Sequence, residues 1–312
     1  MSSYLEATAR ERAQQIVSRF GEILPSSPEW ASPHLPVLNA PVSFDDGMVI
    51  GVGQLGGYTV FIAAQEGAFM GGSVGEIHGA KLTGLLRRAV RERPDAVLLL
   101  VESGGVRLHE ANAGLIAVSE ILRALFDVRA AGIPVIALIG GANGCFGGMG
   151  IVARCANRVI MSALARLAMS GPEVIESAHG VEEWDARDRA LIWRTTGGKH
   201  RYLLGDCDDL VDDDMAAFRQ AAMQAIADCR REGAALTLAA LEAEHQQLSE
   251  RWEQFSTCRE PMDIWAALGV EHPEQLALLD AAAMSELKAQ LQPLKPLNRP
   301  HHPHHSHAGE AA

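Results

Sequence analysis

The chain has 312 residues, 48% of them apolar, and a formal net charge of −12. That length supports one large domain or two small ones around a substantial core. The acidic balance argues against a nucleic-acid binder, which needs a basic surface. No apolar run approaches the roughly 20 residues of a membrane span, and residues 1–20 are too charged for a signal peptide. A soluble cytoplasmic protein is expected, with neither nucleic acid nor membrane as partner.

Residues 4–20 read as an N-terminal helix, followed by a Pro- and Ser-rich connector to residue 36. Two apolar runs, 48–55 and 58–64, meet at Gly56-Gly57 as a hairpin. Ser73 and Glu76 have capping-box spacing and open a helix to about Arg93. Residues 96–101 are continuously apolar, suited to a strand buried on both faces. A helix over 110–131 and a second buried strand over 133–139 follow, then a short helix, a strand over 158–161 and a loop at 170–173. Strand, glycine-rich turn and helix thus recur, which defines an α/β architecture with parallel strands. From Asp213 to about Gln290 helical patterns dominate, broken at Gly233, Pro261 and Gly269. The expected organisation is an N-terminal helix and connector (1–36), a core (37–212), a helical region (213–292) and a disordered His-rich tail (293–312).

The five cysteines have no C-x-x-C spacing and read as reduced thiols. Cys145 lies in a glycine-rich loop, where small size alone explains it. The histidines outside the tail are scattered, so no metal site is expected. Trp184, Trp193, Trp252 and Trp265 sit at helical positions and read as packing residues.

The chemistry concentrates in three strand-to-helix turns with glycine pairs: Gly71-Gly72, Gly104-Gly105 and Gly147-Gly148. Glycine admits close approach of a ligand to backbone, and a helix start offers unpaired N–H donors. Such turns suit negative charge. A P-loop is absent, and Gly148 with Gly150 matches a dinucleotide fingerprint only in part.

The segments ESGGVRLHEANAG (102–114), NGCFGGMGIVARCA (143–156), MSGPEVIE (169–176) and RTTGGKHRYLLGDC (194–207) resemble the beta subunit of malonate decarboxylase, in the carboxyltransferase branch of the crotonase superfamily. The resemblance spans most of residues 47–211. It implies a crotonase-like (ClpP/crotonase) spiral of ββα units with a helical C-terminal region. It also implies decarboxylation of malonyl-S-acyl-carrier protein through a thioester enolate held by backbone donors. No cofactor would be bound by this chain itself, since a CoA-like prosthetic group would come on the acyl-carrier protein. The implied partners are a gamma subunit forming the opposite wall, the acyl-carrier protein subunit and the acyl-carrier-protein transferase subunit.

Gly104, Gly105 and Val106 are the candidates for one donor set, and Gly147 and Gly148 for the other. On this placement Gly148→Val is expected to abolish turnover in an assembled complex. Gly71, Gly72, Arg107, Glu173 and the basic run Lys199, His200 and Arg201 are candidates for substrate binding. Hydratases of the superfamily use two glutamates; Gly150 stands at the first position and Glu173 matches the second, which argues against hydration. Missing C-x-x-C pairs argue against the zinc-ribbon acetyl-CoA carboxyltransferase beta subunit. The acyl-binding subunit of a biotin-dependent acyl-CoA carboxyltransferase and a non-catalytic scaffold of the same fold are the alternatives.

Overall fold

A computed structural model describes residues 2–37, 45–233 and 236–291; the His-rich tail lies outside the described residues. In chain order the elements are α1 (Ala9–Ile16), β1 (Ser18–Ile23), α2 (His34–Val37), β2 (Met48–Leu55), β3 (Tyr58–Gln65), α3 (Glu76–Glu92), β4 (Ala96–Val101), α4 (Ala113–Ala130), β5 (Val135–Ile139), α5 (Gly148–Arg154) and β6 (Arg158–Ser162). They continue with α6 (Pro172–His179), α7 (Arg189–Thr196), α8 (Gly198–Leu203), β7 (Asp209–Val211), α9 (Met215–Glu232), α10 (Leu238–Phe255), α11 (Pro261–Ala267) and α12 (Ala281–Gln290).

One seven-stranded sheet runs in sequence order from β1 to β7. β1, β2 and β3 pair antiparallel, and β3 through β7 pair parallel. Alternation along each strand divides the core. Val97, Leu99 and Val101 of β4 join a cluster with α3, α4 and α5. Ala96, Leu98 and Leu100 join a second cluster with α1 and α9 on the other face. A strand covered on both sides must be apolar throughout, which is why 96–101 reads as an unbroken run.

Beyond the strand ends the turns form a second ladder of single parallel bridges, Val74 with Val106, Ser103 with Cys145, and Cys145 with Leu167. Among the described residues, only β2, β3 and α3 make a full ββα unit; in later units the second strand shrinks to such a bridge.

Three local expectations are corrected. Residues 18–20 belong to edge strand β1, not to the N-terminal helix. It is half exposed and its register shifts between Ser18 and Gly21, so it carries no clean alternation. Ser73 does not cap α3: the N-cap is Gly75, Ser73 Oγ bonds to Met70 O, and the Glu76 N–H donates to Glu110 Oε2 at 2.6 Å. Residues 172–179 form α6, started by Pro172 at a first-turn position that favours proline.

The N-terminal segment is built into the core. Tyr4 stacks on Phe218 with ring centroids 4.1 Å apart, Ser3 Oγ donates to Asp213 at 2.5 Å, and Ser2 O accepts from the Met215 N–H at 2.9 Å. The C-terminal helices pack a separate apolar cluster around Trp265, Leu268, Leu276 and Met284. Trp265 is buried as expected, whereas Trp252 is exposed on α10.

Truncating Leu98, which is fully buried between the sheet and α1/α9, is expected to cost about 2–5 kcal/mol. Leu108→Ala, at a side chain 82% exposed, should cost almost nothing. Denaturant midpoints of the two variants check this directly.

Candidate active site

The site lies where β4 and β5 end. Ser103 N–H donates to Gly144 O, and Phe146 N–H to Ser103 O, both at 2.8 Å, so the turn after β4 is zipped to the turn after β5. The two turns touch further on: a Cβ at Gly147 would stand 3.0 Å from Gly105 Cα. Gly105 at φ 138° and Gly147 at φ 61° occupy backbone that other residues adopt only under strain.

The amides sort into two kinds. Gly104 N–H donates to Gly71 O at 2.8 Å, and Gly147 N–H to Met169 O at 2.9 Å. These two candidates are corrected: their protons are committed inside the chain. Gly105 N–H reaches only Ser103 Oγ, at 3.3 Å. Among the described residues, the N–H groups of Val106 and Gly148 have no acceptor. Gly148 is the first residue of α5, where an orphan donor is inherent to the helix start. The candidate donors therefore narrow to Val106 and Gly148, with Gly105 and Gly147 shaping the turns that aim them.

Gly71 and Gly72 back the first donor turn. Gly71 supplies the carbonyl that holds Gly104, and a Cβ on Gly72 would collide with Glu102 O at 1.9 Å.

Arg107 is not available to a ligand. It is 4% exposed, its guanidinium pairs with Glu110 at 2.9 Å, and it donates to the carbonyls of Ser73 and Asp46 at 2.9 and 3.2 Å. Its charge is spent fixing the far end of the loop.

The basic run is also corrected, because successive helical residues point to different sides. Lys199 Nζ donates to Ala277 O at 2.6 Å. His200 is buried and its Nδ1 accepts from Trp265 Nε1 at 3.0 Å. Arg201 pairs with Asp206 at 3.1 Å. These contacts hold the C-terminal helices to the core instead of forming a common basic surface. Asp206 also faces Arg154 at 3.5 Å and Arg251 at 3.4 Å. Burial raises its pKa, yet the three arginines hold its carboxyl below the ordinary value.

Glu173 is exposed in the first turn of α6, just past Met169, whose carbonyl accepts from Gly147. Burial pushes the Cys145 thiol well up, so it stays neutral beneath the site. Among the described residues no group of three or more His, Cys, Asp or Glu side chains has metal-binding geometry, and no helix is long and apolar enough to cross a membrane.

Sequence reasoning missed the polar centre behind the two turns. Glu102, 4% exposed, pairs with buried Arg12 of α1. Its Oε1 accepts from the N–H and the Nδ2 of Asn143, each at 3.1 Å. One signal was present: a glutamate directly after six apolar residues that are buried on both faces.

A mostly parallel sheet with helices on both faces, and loops beyond its strand ends zipped to one another with unpaired amides, defines an α/β protein of the crotonase-like carboxyltransferase type. The carboxyl transferase domain family matches residues 8–226. The chain belongs to that family, in its malonate decarboxylase branch. It is 43% identical over 302 residues to the malonyl-S-ACP:biotin-protein carboxyltransferase of Malonomonas rubra, covering 88% of this chain and 92% of that one. A Pseudomonas malonate decarboxylase hetero-tetramer in complex with malonate contains a chain of the same fold, with TM-score 0.71 and 35% identity, over 92% of this chain and 97% of that one. A Pseudomonas malonate decarboxylase hetero-dimer gives TM-score 0.59 at 37% identity, over 73% and 92%.

A Cβ at Gly148 would lie 2.5 Å from Val118 Cγ2, so Gly148→Val must displace α4 and should lower the melting temperature as well as activity. Gly105→Ala meets no atom within 4 Å and should cost only about 1–3 kcal/mol of backbone strain. Burial lowers the pKa of both His78 and His200 from 6.5 to about 3. The unfolded chain therefore takes up protons below pH 6.5 that the folded chain refuses, and stability falls as pH drops through that window. Between pH 6.5 and 5 each histidine contributes a loss of up to about 2 kcal/mol. Unfolding midpoints measured across that range should show this slope, reduced in His200→Gln.

Proposed function

We propose that this chain is the thioester-side subunit of a malonate decarboxylase in the cytoplasm. It would act on malonyl carried as a thioester on an acyl-carrier protein. The observation that carries the reading is the pair of unpaired amides, Val106 and Gly148, on two turns in direct contact, within a chain of the malonate decarboxylase branch.

The chemistry needs little else. Breaking the bond between the carboxylate and the α-carbon releases CO2 and leaves its electron pair as an enolate on the thioester oxygen. A proton then returns to the α-carbon, giving the acetyl thioester. Backbone donors aimed at that oxygen stabilise the enolate, and loss of one such donor typically costs about 3–4 kcal/mol. Glu173, exposed in the first turn of α6, is our candidate for proton return, a task that water or a partner group can share.

The proposed partners are a gamma subunit closing the opposite wall, the acyl-carrier protein with its CoA-like prosthetic group, and the transferase that loads it. Exposed Leu108 and Met169, on the loop after Arg107 and beside the Gly147 turn, suit a covered rim. The Pseudomonas relatives are hetero-oligomers, which supports a multi-subunit assembly.

A second reading concerns the fate of the carboxyl group. Likeness to the Malonomonas rubra protein supports passage to a biotin protein, whereas likeness to the Pseudomonas malonate decarboxylase structures supports decarboxylation, and on the latter we favour direct release as CO2. The purified complex separates them. Direct release predicts CO2 from malonyl-S-acyl-carrier protein with no biotin protein present and no inhibition by avidin. Full activity of this chain as a lone monomer would overturn the partner assignment. In the complex, Gly105→Ala should assemble normally yet lose about 100- to 1,000-fold in turnover, because relief of the strain at φ 138° would re-aim the adjacent Val106 N–H. Glu173→Gln should retain measurable turnover.

A further inference from the structure

The two donor turns begin at Glu102 and Asn143, and these residues hold each other. Glu102 Oε1 takes both the backbone N–H and the side-chain Nδ2 of Asn143 at 3.1 Å. Asn143 Nδ2 also reaches Gly67 O at 2.9 Å. The other carboxylate oxygen pairs with Arg12, whose remaining donors go to Tyr4 O at 2.8 Å and Leu5 O at 3.1 Å. Arg12 is 2% exposed and its guanidinium lies over the Tyr4 ring, 4.8 Å from the centroid.

The surroundings are shaped around this carboxylate. A Cβ at Gly67 would approach Glu102 Oε1 to 2.1 Å, and one at Gly141 would approach Oε2 to 2.2 Å. The Glu102 N–H donates to Gln65 Oε1 at 3.2 Å. Val106 follows Glu102 by four residues and Gly148 follows Asn143 by five. The Glu102–Asn143 contact is thus the first rung of the ladder that continues through Ser103–Gly144 and Phe146–Ser103.

We propose that the Arg12–Glu102–Asn143 network positions the Val106 and Gly148 donors relative to each other, making α1 a working part of the active site. Glu102 touches no reacting atom and acts as a positioning residue. This rests on the thioester-enolate reading above. A charged carboxylate is needed because one oxygen must serve two N–H groups of Asn143 while the other answers Arg12. A glutamine has only one acceptor oxygen.

That requirement supplies the test. In the purified complex, Glu102→Gln leaves Arg12 and Asn143 competing for a single oxygen. Turnover should fall about 10- to 100-fold, the scale of a small misplacement of catalytic groups, while KM for the malonyl thioester changes little. Arg12→Met combined with Glu102→Gln removes the competitor, returns the oxygen to Asn143 and should recover most of kcat. A thioester analogue carrying a nitronate, an enolate mimic, should bind more weakly to Glu102→Gln than to the parent and regain affinity in the double variant. An unreactive acetyl thioester should bind all three alike. If Glu102→Gln loses only melting temperature and keeps kcat per folded complex, the proposal fails. It fails equally if the double variant is no better than the single. A parent complex that binds the thioesters but turns over none would count against the functional reading, and the nitronate comparison would still decide the positioning role.

Discussion

Strands buried on both faces have no place for polar side chains along their length, and the rest of this molecule follows from that constraint. β4 and β5 are covered by α3, α4 and α5 on one side and by α1 and α9 on the other. Groups able to do chemistry are displaced to the carboxyl ends of the strands, where parallel connections bring consecutive turns side by side. The turns then bond to one another because the sheet offers them no other partner. Among the described residues, that pairing leaves the Val106 and Gly148 amides without an acceptor.

The loop from Glu102 to Glu110 is held at both ends by buried charge. Glu102 meets Arg12 at its start, and Arg107 meets Glu110 at its finish. Breaking a buried pair of this kind is far more costly than the pair's net contribution to stability. Their main effect is therefore to fix one conformation of the backbone between them. Glu110 extends the same constraint to α3 by accepting from the Glu76 N–H. Arg107 was read from sequence as a ligand for anions because an arginine after a glycine pair has that geometry; burial decides otherwise.

Elements with strong internal periodicity were legible in the sequence. Residues 96–101, the hairpin at Gly56-Gly57 and the breaks at Gly233, Pro261 and Gly269 all mark real boundaries. Edge strand β1 was not, because a half-exposed strand with a register shift lacks a pattern. The donor turns were located by their glycines, yet the sequence held no information on which amides are already bonded. Gly104 and Gly147 are spent on Gly71 and Met169, carbonyls from other turns. The same blindness to long-range contacts hid Arg12, 90 residues from Glu102, and scattered the apparent basic cluster at Lys199, His200 and Arg201.

The stapling of the N-terminal segment to α9 bears on how the chain reaches this state. Ser3 and Asp213 are 210 residues apart, and Tyr4 stacks on Phe218, which is still farther along the chain. The apolar face of α1 packs on β2, β3 and β4 as well as on Phe218 and Ile226 of α9. Contacts this distant place a large loop-closure cost ahead of their reward and slow folding. Docking of the segment that reaches Glu102 from behind is thus completed by contacts 210 residues apart in the chain.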